Sequence, residues 1–153
     1  AACRRVRSQF LLRASRSGGG PDVSFRPYLV AAVRNVFYDR MRCNRELPSD
    51  DIERVLAQSG IRLEPGRLEI TYARRCWLRG HFVPHLVVQT REGAVTLLVL
   101  TEERVARRTA FTEGGYRGTL VPAGRGSIAV LARDDADIDE VADTSLAAVT
   151  FVR

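Results

Sequence analysis

The 153-residue sequence contains no lysine, and all 24 of its basic residues are arginine. Guanidinium groups suit phosphate and carboxylate binding, although the codon usage of a GC-rich genome explains the bias more simply. Residues 1–16 hold five arginines and no acid, which leaves 19 arginines against 18 acids in the rest of the chain. A basic surface for nucleic acid is therefore expected only in this N-terminal tail.

Long apolar runs are also missing. A helix that crosses a membrane needs about 18 or more consecutive apolar residues, whereas the best run, residues 28–33, ends at Arg34. We predict no membrane span in this chain. The sequence begins with alanine and lacks a signal-peptide pattern, so we expect a fragment or a processed product.

Cysteine is scarce, with Cys3, Cys43 and Cys76 scattered along the chain. Three cysteines are too few for a disulfide framework. Two interpretations stay open: the thiols pack separately as small apolar side chains, or Cys43 and Cys76 form one bridge in an oxidising compartment.

The common catalytic and cofactor motifs do not occur. The sequence has no serine in an elbow motif, no dinucleotide fingerprint, and no calcium loop with its ordered ligand spacing. We therefore predict no enzymatic activity, no cofactor and no metal.

What the sequence does contain is a series of short β-type runs separated by glycine turns. Three runs lie between residues 67 and 100, and two more flank a Pro-Ala-Gly-Arg-Gly loop between residues 115 and 131. Tight turns between such runs favour an antiparallel meander. The run over residues 94–100 is nearly all apolar, which predicts a central strand covered on both faces.

Helical patterns precede and follow these runs. Apolar periodicity predicts a helix over residues 28–42, a capping box predicts a second from about Pro48 to Gly60, and acidic residues predict a third over 135–149. The predicted fold class is α+β, with two N-terminal helices, an antiparallel sheet of about five strands and a C-terminal helix. Residues 1–27 form a basic tail and glycine-rich linker, and residues 28–153 form a single domain.

Cys76 and His85 are the first candidate site. If Arg79 and Gly80 form a two-residue turn, the numbers of facing residues sum to 159. His85 then faces Arg74, and Cys76 lies on the same face as His85, about 7 Å away as a diagonal neighbour. A thiol and an imidazole at this spacing suit thiolate activation or metal ligation, while ordinary structural packing is the simpler interpretation.

Arg125 is the second candidate. The loop Gly124-Arg125-Gly126 could present backbone amides and a guanidinium to an anion. It lacks the strand-loop-helix context and the lysine of a phosphate-binding loop. A tight hairpin connection is the simpler interpretation here also.

The strand block carries a further pattern: a cysteine, a short glycine turn, His-Leu-Val, a Val-Thr strand, and a later glycine-rich hairpin. The residues on it are Cys76, Gly80, His85, Leu86, Val87, Val95, Thr96 and 122–131. Over residues 28–133 the chain thus resembles the C-terminal domain of the bacterial domain of unknown function family 3379.

This resemblance implies an anti-sigma-like, single-span membrane protein whose domain lies outside the inner membrane, on the periplasmic side. It also implies that Cys3 is the last ligand of a zinc-binding segment whose other ligands this chain lacks. We predict a non-enzymatic sensor or protein-interaction domain with an unidentified protein partner. Two alternatives are a nucleic-acid-binding protein that uses the arginine-rich tail and a Cys/His-dependent redox protein.

Overall fold

The computed structural model describes residues 26, 29, 30, 34, 49–78, 80–133 and 136–152. The chain divides into two units, Ala1–Arg45 and Glu46–Arg153, and the architecture below is that of the second. Its elements, in chain order, are α1 (Ser49–Gln58), β1 (Ile61–Leu63), β2 (Ile70–Leu78), β3 (His81–Gln89), β4 (Ala94–Leu100), β5 (Thr109–Glu113), β6 (Tyr116–Ala123), β7 (Gly126–Ala132), α2 (Ile138–Ala148) and β8 (Val149–Phe151).

Six strands form one antiparallel sheet in the order β2-β3-β4-β7-β6-β5. It consists of two three-stranded meanders, β2–β4 and β5–β7, joined through the central pair β4–β7. β4 spans the predicted range 94–100, and six of its seven residues are buried. The prediction of a central strand with both faces covered is confirmed.

The link between the two meanders has to cross the sheet. Because β4 is central and β5 lies at the far edge, residues 101–108 pass β7 and β6 before pairing resumes. The backbone N–H of Val105 donates to Ser127 Oγ at 2.8 Å. The side chain of Ile128, the next residue in β7, lies in the core. Because neighbouring side chains of a strand point to opposite faces, Ser127 and the link that it binds lie on the face opposite the core.

The two helices cover the core face of the sheet. α1 turns its Ile52, Val55 and Leu56 side toward the strands, and Gly60, at φ +66°, ends the turn that follows the helix. The apolar core is formed by the buried residues Leu56, Ile61, Ala73, Leu86, Val88, Val95, Leu97, Val99, Val121, Ala123, Ile128, Val130, Ala132, Ala136, Val141 and Ala142.

α2 begins at a side-chain cap and ends directly in a strand. Oδ1 of Asp137 accepts from the backbone N–H groups of Asp139 and Glu140 at 3.1 and 2.9 Å, which satisfies two donors of the first turn. Val149 is extended and continues as β8, which pairs with β1 in a separate two-stranded sheet.

The predicted arrangement of helices and strands is wrong. The described part of the chain has one helix in mid-chain and one near the C-terminus, not two N-terminal helices, and eight strands in two sheets, not about five in one. β1 and β8 are three residues each and pair Ile61 with Phe151, so neither carries a recognisable two-residue period. Of the helix predicted over 28–42, only Leu29, Val30 and Arg34 lie within the described residues.

Candidate functional site

The β2–β3 hairpin brings together the chemically distinctive residues of the described chain. Leu78 pairs with His81, Cys76 with Val83, and Arg74 with His85, so facing numbers sum to 159 as predicted. The predicted register is therefore confirmed. Alternation places these pairs on the face opposite the core, because the intervening Ala73–Leu86 pair belongs to the core.

On that opposite face, Cys76 and His85 are in contact. Cys76 Sγ lies 3.5 Å from His85 Nδ1. Cys76 is half-buried and carries a thiol, not a disulfide, whereas His85 is completely buried and its Nε2 has no hydrogen-bond partner. The other partner of the predicted bridge, Cys43, lies outside the described residues.

The environment keeps His85 neutral. Burial, and secondarily the positive charge of Arg74, lowers the pKa of His85 from 6.5 to about 3. A general base works best with a pKa near the working pH. At neutral pH this imidazole is therefore a weak base that can offer or accept one hydrogen bond at Nδ1.

On the core side of the same hairpin, an aromatic patch extends beyond the helices. We define this patch as Arg75, Trp77 and Phe82. The rings of Trp77 and Phe82 meet edge to face with centroids 4.8 Å apart, and the Arg75 guanidinium carbon lies 4.5 Å from the Phe82 centroid. Trp77 is 52% exposed and Phe82 46% exposed. Two large rings are thus fixed against each other while half of each faces solvent.

The end of α1 explains this exposure. Its last residue, Gln58, places Oε1 3.5 Å from Arg75 Nη1, and the chain then turns away at Gly60. On this face of the hairpin, the Trp77–Phe82 pair is the next one toward the turn after the Arg75–Pro84 pair. The helix therefore stops before it can cover the rings.

Sequence patterns alone do not predict the aromatic patch. Apolar side chains in a strand are normally assigned to the core, and exposure depends on where a distant helix ends. One signal was available: residues 70–91 contain four arginines and no acid around the only tryptophan of the chain. Tryptophan and arginine are the residues most enriched at the energetic centres of protein interfaces.

Arg125 lies at the other hairpin turn and does not join the Cys76–His85 pair in any described contact. β6 ends at Ala123 and β7 begins at Gly126, so Gly124 and Arg125 form the two-residue turn of a hairpin. Arg125 Nη2 donates to the carbonyl oxygen of Val152 at 2.7 Å. The side chain thereby ties the turn to the residue that follows β8, and its suggested role toward an anion stays a prediction.

Two shallow grooves adjoin Arg125. One, of about 470 Å³, lies between the β6–β7 turn and the α2–β8 segment, and the other, of about 570 Å³, lies between α1 and β1. Leu146 and Val152, both partly exposed, border one groove each. Neither groove is lined by a cysteine or a histidine; within the described residues, Cys76, His81 and His85 all lie in the β2–β3 hairpin.

Two features are absent from the described residues. These residues contain no group of three or more histidine, cysteine or acidic side chains placed to hold a metal ion. No helix in the same part of the chain is long and apolar enough to span a membrane. Cys3 and the arginine-rich tail, on which the zinc and nucleic-acid hypotheses depend, lie outside the described residues.

Fold and site together define a class: a small domain with a six-stranded antiparallel sheet, two helices on one face, and an arginine-flanked aromatic hairpin. The chain belongs to the family described as "Protein of unknown function (DUF3379)", whose model matches residues 32–149. The predicted family is thereby confirmed, and the match continues through α2. No curated protein and no solved structure matches the chain.

Proposed function

We propose that this chain is a non-enzymatic protein-interaction domain that binds an acidic, apolar segment of a partner protein through the aromatic patch. The exposure of Trp77 and Phe82 carries the proposal, because two large adjacent rings left half in water are stabilised when a partner covers them. The low pKa of His85 supports the absence of acid–base catalysis at this hairpin.

Charge and geometry support the chemical class of the partner. The hairpin carries arginine without any acid over residues 70–91, so an acidic surface is complementary and would speed association. Arg75 already stacks on Phe82 and keeps donors for a carboxylate. An apolar side chain of the partner would cover the rings, and a neighbouring acid would meet Arg75.

We further propose that the domain acts as the sensor part of an anti-sigma-type regulator on the periplasmic side of the inner membrane. The resemblance of the hairpin and strand residues to such proteins supports this assignment. On this proposal the partner of the patch is a protein of the cell envelope.

Photo-crosslinking in the native cell tests the interaction. A benzophenone amino acid is placed at position 77 or 82 of the full-length protein, with the exposed Glu102 of the β4–β5 link as the control position. We expect positions 77 and 82 to give the same covalent adduct and position 102 not to give it. Adducts that differ between 77 and 82, or that form equally at 102, would contradict the proposal.

A charge reversal sharpens the test. Arg75→Glu should reduce the adduct at position 82 at least tenfold, because it sets like charges against each other, while Glu102→Arg should leave it unchanged. Identification of the adduct then decides the finer proposal. A cell-envelope protein supports the regulator, whereas a cytoplasmic protein would retain the interaction domain and exclude the periplasmic sensor.

A further inference from the structure

The contact between Cys76 and His85 is chemically unusual because the imidazole has only one partner. Sγ lies 3.5 Å from Nδ1, and Nε2 is buried without a donor or an acceptor. Buried polar atoms are normally satisfied, and an exception asks for an explanation. In this site, the lack of a partner for Nε2 indicates which ring nitrogen of His85 carries the hydrogen.

The buried ring holds a single N–H, since His85 is neutral. A hydrogen on Nε2 would leave a buried donor without an acceptor, whereas a hydrogen on Nδ1 leaves only a lone pair without a donor. Orphaned buried N–H groups are the rarer of the two defects. The Nδ1–H tautomer is favoured, and it donates its hydrogen to the sulfur of Cys76.

The electrostatic surroundings of the sulfur act in the same direction. Arg74 lies directly opposite His85 and precedes Cys76 by two residues on the same face of β2. Its charge reaches the site, since it acts on His85. A donor hydrogen bond and a nearby cation both stabilise a thiolate relative to a thiol.

We propose that Cys76 is a peroxide-reactive thiolate, stabilised by the Nδ1–H of His85 and by the positive charge of Arg74, and that hydrogen peroxide is the oxidant that modifies it. The sulfur attacks one peroxide oxygen, an S–O bond forms and the O–O bond breaks. Sulfur loses two electrons and becomes a sulfenic acid, and the departing hydroxide takes a proton from solvent to become water. Cys76 is half-buried, so the proposal is limited to an oxidant as small as hydrogen peroxide.

This site goes beyond the proposed interaction and would supply a sensor with a chemical input. Cys76 and Trp77 are adjacent in β2 and project to opposite faces of the hairpin. Trp77 is the only tryptophan of the chain. Its fluorescence therefore reports oxidation next to the aromatic patch without an added probe.

The test uses the full chain with Cys3→Ser and Cys43→Ser, so that Cys76 is the only thiol. Sulfenic acid formed with hydrogen peroxide at pH 7 is trapped with dimedone and followed by mass, with Trp77 fluorescence read in parallel. We expect His85→Leu to slow trapping about tenfold, as loss of a hydrogen bond to a charged group implies. His85→Asn, which keeps a donor near the Nδ1 position, should restore part of the rate.

Arg74→Gln should slow trapping severalfold, and because Arg74 is exposed this variant remains informative if His85→Leu does not fold. His81→Gln is the matched control, since His81 lies on the same face of β3 and pairs with Leu78, not with Cys76; it should keep the parent rate. Equal rates in the parent, His85→Leu and Arg74→Gln proteins would overturn the proposal. The readout is independent of any partner, so the failure of either proposal leaves the other testable.

Discussion

The hairpins β2–β3 and β6–β7, one from each meander, differ in what their turns present. Both turns lie at the same end of the sheet, because β3 and β7 each run antiparallel to β4. The turn region of the first hairpin, called the β2–β3 end, presents exposed rings, arginines and a thiol. The turn region of the second, called the β6–β7 end, has glycine on both sides of Arg125 and is tied to the chain after β8. At one end of the sheet, the turn of one hairpin thus provides a surface for contact and the turn of the other a structural closure.

Side-chain size sets this difference. At the β6–β7 end, a Cβ on Gly126 would meet the Leu100 backbone and the Phe151 ring. The start of β7 therefore lies too close to the end of β4 and to β8 for any residue larger than glycine. At the β2–β3 end, Gly80 has nothing within 4 Å of its would-be Cβ. The packed end needs small residues, and the open end can present large ones.

The largest expected effect concerns the β2–β3 hairpin: the free energy of unfolding should depend on pH because of His85. Its pKa is about 3 in the folded protein and 6.5 when unfolded, so below pH 6.5 the unfolded chain binds the extra proton. Stability is therefore complete above pH 6.5 and falls as the pH drops toward about 3, by about 1.4 kcal/mol for each pH unit. Urea unfolding from pH 7 to pH 4 measures this slope.

His85→Leu should remove that part of the slope, while His81→Gln should leave it in place. The difference between the parent and the His85→Leu protein isolates the histidine, because the carboxylates titrate in both. An identical pH profile in the two proteins would show that His85 is protonated without cost and would contradict its deep burial.

The next effect concerns the closed end. Gly126→Ala should destabilise the protein by about 3 kcal/mol, since the new methyl group would overlap the carbonyl oxygen of Leu100, which the β4–β7 ladder holds in place. Gly118→Ala is the matched variant, because its Cβ would meet the movable Phe111 ring instead of backbone. We expect the loss at Gly118 to be smaller and to be relieved by Phe111→Leu, with no such relief available at Gly126.

The parts of the fold that the sequence predicts are those set by neighbouring residues. The two-residue turn before His81 fixes the pairing of Cys76 with Val83, since the register of a hairpin follows from its turn. The unbroken apolar run of β4 likewise indicates a strand buried on both faces. In each case the information lies within about ten consecutive residues.

The features that were missed depend on residues far apart in the sequence. Pairing of Ile61 with Phe151 is non-local and involves strands too short to show a period. The exposure of Trp77 depends on where α1 ends, and the contact of Arg125 with Val152 depends on where β8 ends. The Cys76–His85 contact was predictable as a neighbour relation, but the burial of His85 was not.

A smaller effect is expected at Arg125. Arg125→Ala removes the hydrogen bond to the carbonyl of Val152 and should lower the free energy of unfolding by about 1 kcal/mol, because the bond is exposed. Hydrogen exchange should show faster exchange in β1 and β8 with little change in β4. Inorganic phosphate sharpens the test: if Arg125 binds an anion, phosphate raises the melting temperature of the parent protein more than that of Arg125→Ala.

An effect no larger than that at Arg125 is expected at the aromatic patch. Phe82→Ala removes an edge-to-face ring contact from a half-exposed position and should cost about 1 kcal/mol, whereas Leu98→Ala, at a fully buried position of β4, should cost about 2–5 kcal/mol. Urea unfolding followed by Trp77 fluorescence measures both, since each variant keeps the tryptophan. A loss at Phe82 as large as that at Leu98 would mean that the rings support the fold, and the β2–β3 end would then be a second closed end instead of a binding surface.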